Sequence, residues 1–351
     1  MKCKRLYFRI LLSIFLFPSC FIVSAQDIHF SQYYTHLSSL NPALVGNYDG
    51  SYRLSAIYRN QWGRFLGGDA YQTFGADVDF CLLEGYLRDS KLAIGTGLFV
   101  DRSGAAGLSK TNVSLTAAYH FGFGKDGNHR LSVGLQGAFL QENIDNPLFA
   151  DQFNGHNQGV GSTAEQLMTF KPVWDVNAGI YYRGKIKNIA RIGAGLGAFH
   201  VAEPKLNNVR QQAGNQSDRD FVLFRRFAAD VHAEVFIDAK KKVSVTPELL
   251  MMFQGPAREI TPGLLATYYF NSGFRQNNSV SAGFRYRVGD ALVCMAQGEF
   301  RNIRLGFAYD VNLSRLSGVS RNQGSFEFSL TYIGETIKSV KANRALPSRR
   351  F

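Results

Sequence analysis

Few residues of this 351-residue chain have both the type and the spacing that catalysis or cofactor binding requires. The run Gly193-x-Gly195-x-Gly197 resembles a phosphate-binding loop, but it lies inside an alternating apolar segment and no helical pattern follows it. Glycines inside a strand usually allow close packing or bending. We therefore expect a structural role for this run and no cofactor bound to it.

Asp230, His232 and Glu234 form a second candidate, because residues two apart share one face of a strand. Carboxylate and imidazole groups bind metals, yet the chain has no His-x-x-x-His or Cys-x-x-Cys pair that would complete a ligand set. It also has no Gly-x-Ser-x-Gly nucleophile elbow. The sequence thus predicts a hydrogen-bond network at these residues, and no catalytic, metal-binding or cofactor-binding site.

Strands must position these side chains, because apolar and polar residues alternate along most of the chain after residue 50. The alternating segments are about ten residues long, as tilted membrane strands are. The sequence predicts an all-β fold, namely a transmembrane antiparallel β-barrel of outer-membrane type with about 14 strands. The predicted strands are 51–59, 71–80, 91–101, 110–123, 129–141, 173–183, 190–201, 224–237, 243–253, 259–270, 279–287, 291–300, 303–310 and 325–333.

Composition and loop lengths favour a barrel in a membrane. Charged residues make up only 19% of the chain, below the roughly 25% of soluble domains, and aromatic residues reach 13%. The three longest predicted loops, 142–172, 202–223 and 311–324, fall at one end of the sheet, as the outer loops of such barrels do. A soluble two-sheet sandwich is the alternative architecture, because it also shows alternation.

Side-chain phase predicts which face of each strand contacts lipid. One phase is apolar, as in Leu131, Val133 and Leu135, and the opposite phase carries polar and charged residues. Charges of the inward phase alternate in sign along the last four predicted strands, so we expect a charge network in the lumen. Its members would be Arg285, Glu299, Arg304 and Glu327.

The beginning of the chain predicts export. Cations flank an apolar run at 6–17 and small residues precede position 26, so residues 1–25 are predicted to be a signal peptide cleaved after Ala25. Cleavage before Cys20, as in a lipoprotein, is the alternative. Beyond this segment only Cys81 and Cys294 remain, too few for a disulfide framework. Residues 335–351 are predicted to form a basic C-terminal tail.

Residues 26–50 precede the first strand and are polar, aromatic and turn-forming. We expect them to enter the lumen from the periplasmic end and to plug the barrel, which would span 51–334. The candidate plug residues are Phe30, Ser31, Gln32, Tyr33, Asn41 and Pro42.

Closure of a barrel pairs its first and last strands, which places the loop after Tyr58 near the loop after Asp310. We expect a polar surface with an aromatic anchor there, of the type that often dominates an interface. The candidate partner-binding residues are Asn60, Gln61, Trp62 and Asn312.

Several segments of the chain, in order, resemble the PorP/SprF family of type IX secretion system membrane proteins. Asp27-Ile28 stands where the family often has Asp-Pro, and the other departures are small. The matching segments are 26–33 (QDIHFSQY), 40–46 (LNPALVG), 58–62 (YRNQW), 199–204 (FHVAEP), 305–314 (LGFAYDVNLS) and 324–330 (GSFEFSL).

This resemblance implies an outer-membrane barrel of Bacteroidota-type bacteria that supports secretion or surface attachment of type IX cargo, linked to gliding or adhesin display. The implied partners are outer-membrane lipid, the other secretion subunits and adhesin-like cargo. Dispersed cations in an exported chain exclude nucleic acid as a partner. A general porin or solute channel is the alternative function, and an enzyme is not expected.

Overall fold

The computed structural model describes residues 27–82, 90–104, 107–124, 128–144, 172–186, 189–206, 221–270, 278–314 and 322–335. The predicted signal peptide and nearly all of the predicted basic tail lie outside these ranges. Within the described ranges, no helix has the length and apolar character needed to cross a membrane.

Sixteen strands account for most of the described residues. They are β1 Tyr52–Gln61, β2 Tyr71–Leu82, β3 Lys91–Ser103, β4 Leu108–Phe123, β5 His129–Ile144, β6 Val173–Ile186, β7 Ala190–Phe199, β8 Lys205–Leu206, β9 Phe221–Val222, β10 Arg226–Phe236, β11 Val243–Gln254, β12 Ala257–Tyr269, β13 Asn278–Arg287, β14 Ala291–Phe300, β15 Ile303–Asn312 and β16 Gln323–Gly334.

Fourteen of these strands form a closed antiparallel barrel, and β8 with β9 forms a separate two-stranded hairpin. The ring closes where β1 pairs with β16, from Tyr52 opposite Gly334 to Gln61 opposite Ser325. The predicted barrel of about 14 strands is therefore confirmed, and the sandwich is excluded because its two sheets would leave the ring open. The hairpin lies where the sequence predicted only a loop, since strands of two residues carry no readable alternation.

The two ends of the barrel differ in the length of their connections. At one end, called the short-turn end, the connections are 83–90, 124–128, 187–189, 237–242, 270–277 and 301–302. The other end, called the long-loop end, carries 62–70, 104–107, 145–172, 200–225, 255–256, 288–290 and 313–322. The three longest connections share one end, as predicted, although 255–256 and 288–290 are short turns at that same end.

Burial alternates along the barrel strands and separates a lipid face from a lumen face. In β5, Leu135 is 67% exposed on the outer surface, whereas the adjacent Gln136 is 3% exposed inside. The same alternation places Phe227 outside and Asp230 inside on β10. Apolar side chains therefore face the membrane and polar ones the lumen, in the predicted phases.

Residues 27–50, called the lumenal segment, lie inside the ring of strands. The segment contains one α-helical turn at Leu37–Leu40 and a 3₁₀ turn at Pro42–Leu44, where the Asn41 side chain accepts a hydrogen bond from the backbone N–H of Ala43 at 2.9 Å. Asp27 lies near the long-loop end beside Lys110, and Asp49 lies near the short-turn end beside Arg183. The lumenal segment thus runs the length of the barrel before β1 begins.

Candidate functional site in the lumen and at the long-loop end

Glu327 of β16 binds the backbone of the lumenal segment. Its carboxylate accepts hydrogen bonds from the N–H groups of Ser31 at 2.6 Å and Gln32 at 2.8 Å. The Glu327 side chain is fully buried and also pairs with Arg59 of β1 at 2.5 Å. Because buried charges require partners, this carboxylate joins the closing seam of the barrel to the segment inside it.

Three arginines surround the same turn of the lumenal segment. Arg59 and Arg287 each donate to the Ser31 hydroxyl, at 3.0 and 2.9 Å, and both also pair with Asp310, at 3.0 and 3.3 Å. Arg285 donates to the Ser31 carbonyl. Donors and carboxylates from four strands therefore converge on one residue, so Ser31 is held far more tightly than a free chain end.

Arg285 of β13 connects this cluster to β11, two strands along the wall. It forms a bidentate pair with Glu248 of β11, at 2.5 and 3.0 Å, and its guanidinium lies 4.0 Å from the centroid of the Tyr33 ring. Both charged side chains are buried. Tyr33 is thus held against the wall by a cation–π contact.

A second group of charges holds the middle of the lumenal segment. Arg53 pairs with Asp79 at 3.0 Å and with Asp77 at 3.5 Å, and donates to the carbonyl of Thr35 at 3.1 Å. Asp77 accepts from the backbone N–H of Leu37 at 2.7 Å, which lies in the first turn of the short helix. The wall carboxylate thereby satisfies an N–H that the short helix leaves unpaired.

A third group holds Asp27 near the long-loop end. The Asp27 carboxylate lies 2.6 Å from Lys110 Nζ, 2.6 Å from His200 Nε2 and 3.3 Å from Arg226 Nε. The other ring nitrogen of His200 lies 2.7 Å from Asp175. With a carboxylate at each nitrogen, the imidazolium form of His200 satisfies both contacts.

Charged neighbours shift the pKa of Asp27 and the pKa of His200. Burial opposes ionisation of Asp27, but Lys110, His200 and Arg226 outweigh burial and hold the pKa of this carboxyl well below its usual range. Burial alone would lower the pKa of His200, whereas Asp27 and Asp175 reverse that effect and raise the pKa above its ordinary value. Asp27 is therefore ionised at neutral pH, and its charge favours the imidazolium form of His200.

Glycines of the wall make room for the lumenal segment. A Cβ added at Gly134 of β5 would meet the backbone of Pro42 and Ala43, and one at Gly179 of β6 would meet the Asn41 side chain. In the run Gly193-x-Gly195-x-Gly197 of β7, a Cβ at Gly197 would lie 2.8 Å from the carbonyl oxygen of Leu40. These inward-facing glycines let the segment approach the strand backbone closely.

The candidate plug residues all lie in the lumenal segment and are buried. Ser31 and Gln32 are 3% and 2% exposed, and Asn41 is fully buried with its amide donating to the carbonyl of Ile180 at 3.1 Å. Phe30 contacts the His36 ring at 5.6 Å between centroids. The buried set is Phe30, Ser31, Gln32, Tyr33, Asn41 and Pro42.

The four predicted network charges separate into two groups. Arg285 and Glu327 bind the lumenal segment, each with its own partner on the wall. Glu299 and Arg304 pair with each other at 2.7 Å near the short-turn end, where their side chains are 25% and 46% exposed. Only Glu299 and Arg304 pair within the predicted set, because the register of the strands gives Arg285 and Glu327 other partners.

The candidate partner residues lie at the long-loop end of β1 and β15. Trp62 follows β1 in a left-handed conformation with φ of 59°, donates its N–H to the carbonyl of Gly324 at 2.9 Å, and packs edge-on against Tyr71. Asn60 and Gln61 are half-buried beside it. Asn312 is 4% exposed and lies on β15, with β16 between it and β1.

Sequence reasoning missed most of the residues that hold the lumenal segment. Period-two alternation shows which strand face is polar, but it does not show which wall residue meets which residue of the lumenal segment. The missed set is Asp27, Arg53, Arg59, Glu248 and Asp310, with the pairing of His200 to Asp175.

Asp230 and His232, the candidate metal ligands considered in the sequence, form hydrogen bonds. The Tyr34 hydroxyl lies 3.2 Å from Asp230 Oδ2 and 2.9 Å from His232 Nδ1. Across the described ranges, no group of three or more His, Cys, Asp or Glu side chains is placed to hold a metal ion. Cys81 and Cys294 are free thiols.

A closed, lipid-facing barrel with a polar lumen defines the class: this is an outer-membrane β-barrel protein. Residues 22–332 match the family model of the type IX secretion system membrane protein PorP/SprF. The chain therefore belongs to the PorP/SprF family, as its motifs indicated, and its localisation is the outer membrane. No curated protein matches the sequence.

Solved structures of other outer-membrane barrels are similar to this one. The toluene transporter TbuX of Ralstonia pickettii is 15% identical, with 84% of this chain and 92% of that chain covered and a TM-score of 0.48. A FadL homologue of Pseudomonas aeruginosa is 11% identical, with 84% and 92% covered and a TM-score of 0.48. At these identities the similarity says nothing about what this chain binds.

Proposed function

We propose that the protein supports secretion or surface attachment of adhesin-like cargo by binding other proteins, as an outer-membrane component of the type IX secretion system. Membership of the PorP/SprF family supports the assignment to that system. The link to gliding and a Bacteroidota-type host belong to the same proposal. Its partners would be the other secretion subunits and the exported cargo.

The occupied lumen is the observation that carries a binding role over a general porin or solute channel. The lumenal segment lies along the whole barrel, and its polar backbone is held by Glu327, Asp77 and Arg53. A solute would have to displace a segment held by several buried ion pairs, each costly to break. We therefore treat the lumenal segment as a plug and place the activity on the ends of the barrel.

The proposed cargo surface is the end of β1 at the long-loop end, which faces outward in such barrels. Trp62 provides an aromatic anchor, and Asn60 and Gln61 provide polar groups beside it. Asn312 is buried and lies two strands away, so it adds no exposed group to this surface. The left-handed backbone at Trp62 is uncommon for a bulky side chain, and such conformations persist where the surrounding structure imposes them.

Replacing Trp62 by alanine tests this surface. We expect Trp62→Ala to abolish display of cargo on the cell surface, measured by surface labelling, while the amount of folded barrel stays the same by heat-modifiable gel mobility. Trp174→Ala is the matched control, because Trp174 is the other tryptophan, lies near the same end and is 77% exposed on the outer surface. Loss of display only in proportion to loss of folded barrel would show that Trp62 is a membrane-interface residue.

A further inference from the structure

Positive charge collects at the short-turn end of the lumen, at the opposite end from the proposed cargo surface. Arg130 of β5 and Arg183 and Lys185 of β6 lie on the inward phase of their strands there, and Arg130 stands opposite Arg183 in the register. These three cations, called the cationic mouth, lie close enough to one carboxylate, Asp49, to act on its ionisation.

Asp49 shows that the cationic mouth binds a carboxylate. Its carboxylate lies 2.9 Å from Arg183 Nη2, and its side chain is 78% exposed whereas that of Arg183 is 29% exposed. Desolvation by the surrounding mouth of the barrel opposes ionisation of Asp49, although its side chain is largely exposed, but Arg183, with Lys185 and Arg130, outweighs it and lowers the pKa of Asp49 to about 2. One exposed carboxylate thus occupies a site where three cations meet.

Neighbouring charges add to the positive balance. Lys91 of β3 donates from its ammonium to the carbonyl of Tyr48 at 2.8 Å, so it brings a charge to the last turn of the lumenal segment without a carboxylate as its hydrogen-bond acceptor there. Arg191 of β7 stands opposite Lys185 and pairs with Glu234 at 3.2 Å. Among the described residues named here, two carboxylates, Asp49 and Glu234, accompany five cations.

Alternate side chains of β6 point into the lumen or toward the lipid, so a ligand of the cationic mouth lies on the lumen side of the wall. Lys185 points inward, and the next residue, Ile186, is 47% exposed on the outer, membrane-facing surface. Lipid headgroups surround the outside of the wall, whereas the cationic mouth opens along the axis of the barrel. In outer-membrane barrels the short turns face the periplasm, so the mouth is reached from there.

We propose that the cationic mouth is a docking site for an acidic polypeptide segment, rich in Asp or Glu, that arrives from the periplasm and takes the place of the Asp49 carboxylate on Arg183. Charge complementarity selects the partner, and the exposed Asp49 side chain is the part of the lumenal segment that must move. This interaction is independent of cargo binding at the long-loop end, so either can fail alone.

The test measures binding of a fluorescein-labelled hexaglutamate peptide to the purified mature barrel in detergent by fluorescence anisotropy. We expect saturable binding that weakens with added salt, and none for the matched hexaglutamine peptide. Asp49→Asn should tighten binding several-fold because it removes the internal competitor, and Lys185→Gln should weaken it several-fold while leaving the Arg183–Asp49 pair in place. Arg225→Gln, at the long-loop end with a 53% exposed side chain, is the control and should bind as the wild type does.

Other outcomes overturn the proposal. Equal binding by wild type, Asp49→Asn and Lys185→Gln would show that the peptide binds elsewhere, as would a loss confined to Arg225→Gln. Asp49→Asn removes no part of the wall, so an unfolded variant would not account for a negative result.

Discussion

The buried carboxylate of Glu327 shows how a single side chain can decide whether this barrel holds its lumenal segment. It accepts two backbone N–H groups and pairs with Arg59, all in a site from which water is excluded. Removing one partner of a buried pair leaves the other charge uncompensated, which is far more costly than losing an exposed pair.

We predict that Glu327→Ala destabilises the folded barrel by about 3 kcal/mol, at the low end of the range for buried pairs because Asp310 still accepts from Arg59. Urea titration in detergent, followed by heat-modifiable gel mobility, measures the change. Glu299→Ala is the matched control, since its pair with Arg304 is partly exposed and surface pairs contribute about 0–1 kcal/mol. Equal effects of the two changes would contradict the assigned role of Glu327.

The ion pair between His200 and Asp27 depends on pH because His200 titrates. Because the pKa of His200 is raised in the folded protein, the stabilisation it gives is complete below the ordinary histidine pKa of about 6.5 and is lost as pH rises through the folded value. Asp27 has the opposite sign, since its lowered pKa makes its contribution fall only at strongly acidic pH. The contact is therefore expected to loosen as pH rises above the ordinary histidine pKa.

We predict that backbone amides near Asp27 exchange faster with solvent as pH rises from 6 to 9, beyond the intrinsic chemical increase. Hydrogen exchange with mass spectrometry of the peptides that cover 27–34 measures this. His200→Gln keeps a hydrogen-bonding side chain without a titrating group, and should remove the excess pH dependence while exchange at 40–46 stays unchanged. The same pH dependence in both proteins would rule out His200 as its source.

Alternate residues of β5 face two environments, the lumen and the lipid. Gly134 faces the lumen and touches the turn at Pro42, whereas a Cβ at Gly137 of the same strand, facing lipid, would meet nothing within 4 Å. The same substitution at the two positions therefore separates an effect on the lumenal segment from an effect on the strand.

We predict that Gly134→Val displaces the Pro42–Leu44 turn and that Gly137→Val does not. Limited proteolysis should then cut within 37–46 only in the Gly134 variant, with the cut sites read by mass spectrometry. Both variants should still show heat-modifiable mobility, because the strands of the wall pair through their backbones. Protection of 37–46 in both variants would show that the wall strands shift to accommodate the valine and that the turn stays in place.

The elements were largely predictable, and the contacts inside the lumen were not. Period-two alternation located all 14 barrel strands, because lipid on one side and a polar lumen on the other impose opposite demands on adjacent residues. It also assigned Glu327 and Arg285 to the lumen. It could not show that Asp77 accepts from Leu37 or that Arg285 pairs with Glu248, because those partners depend on strand register and on the path of the lumenal segment.

At the scale of the whole molecule, we propose that the lumenal segment blocks conduction through the barrel. We predict low conductance for the intact protein in planar lipid bilayers and a large increase after deletion of residues 26–50. The deletion leaves Arg59, Arg285 and Glu327 facing a lumen that water can enter, so their charges would be solvated and the barrel could still fold. An already large conductance of the intact protein would contradict the plug and favour the solute channel.

The contact between Ser31 and Glu327 also constrains the order of folding. These residues are 296 positions apart, so the chain must be synthesised into β16 before the first residues of the lumenal segment gain their main acceptor. Such high contact order slows folding, and a lumen that closes empty would exclude the segment, whose two ends emerge at opposite ends of the ring. Pairing of β1 with β16 is thus the step at which the barrel closes around the lumenal segment. A chain truncated before β16 would have neither a closed wall nor the carboxylate that holds residues 31 and 32.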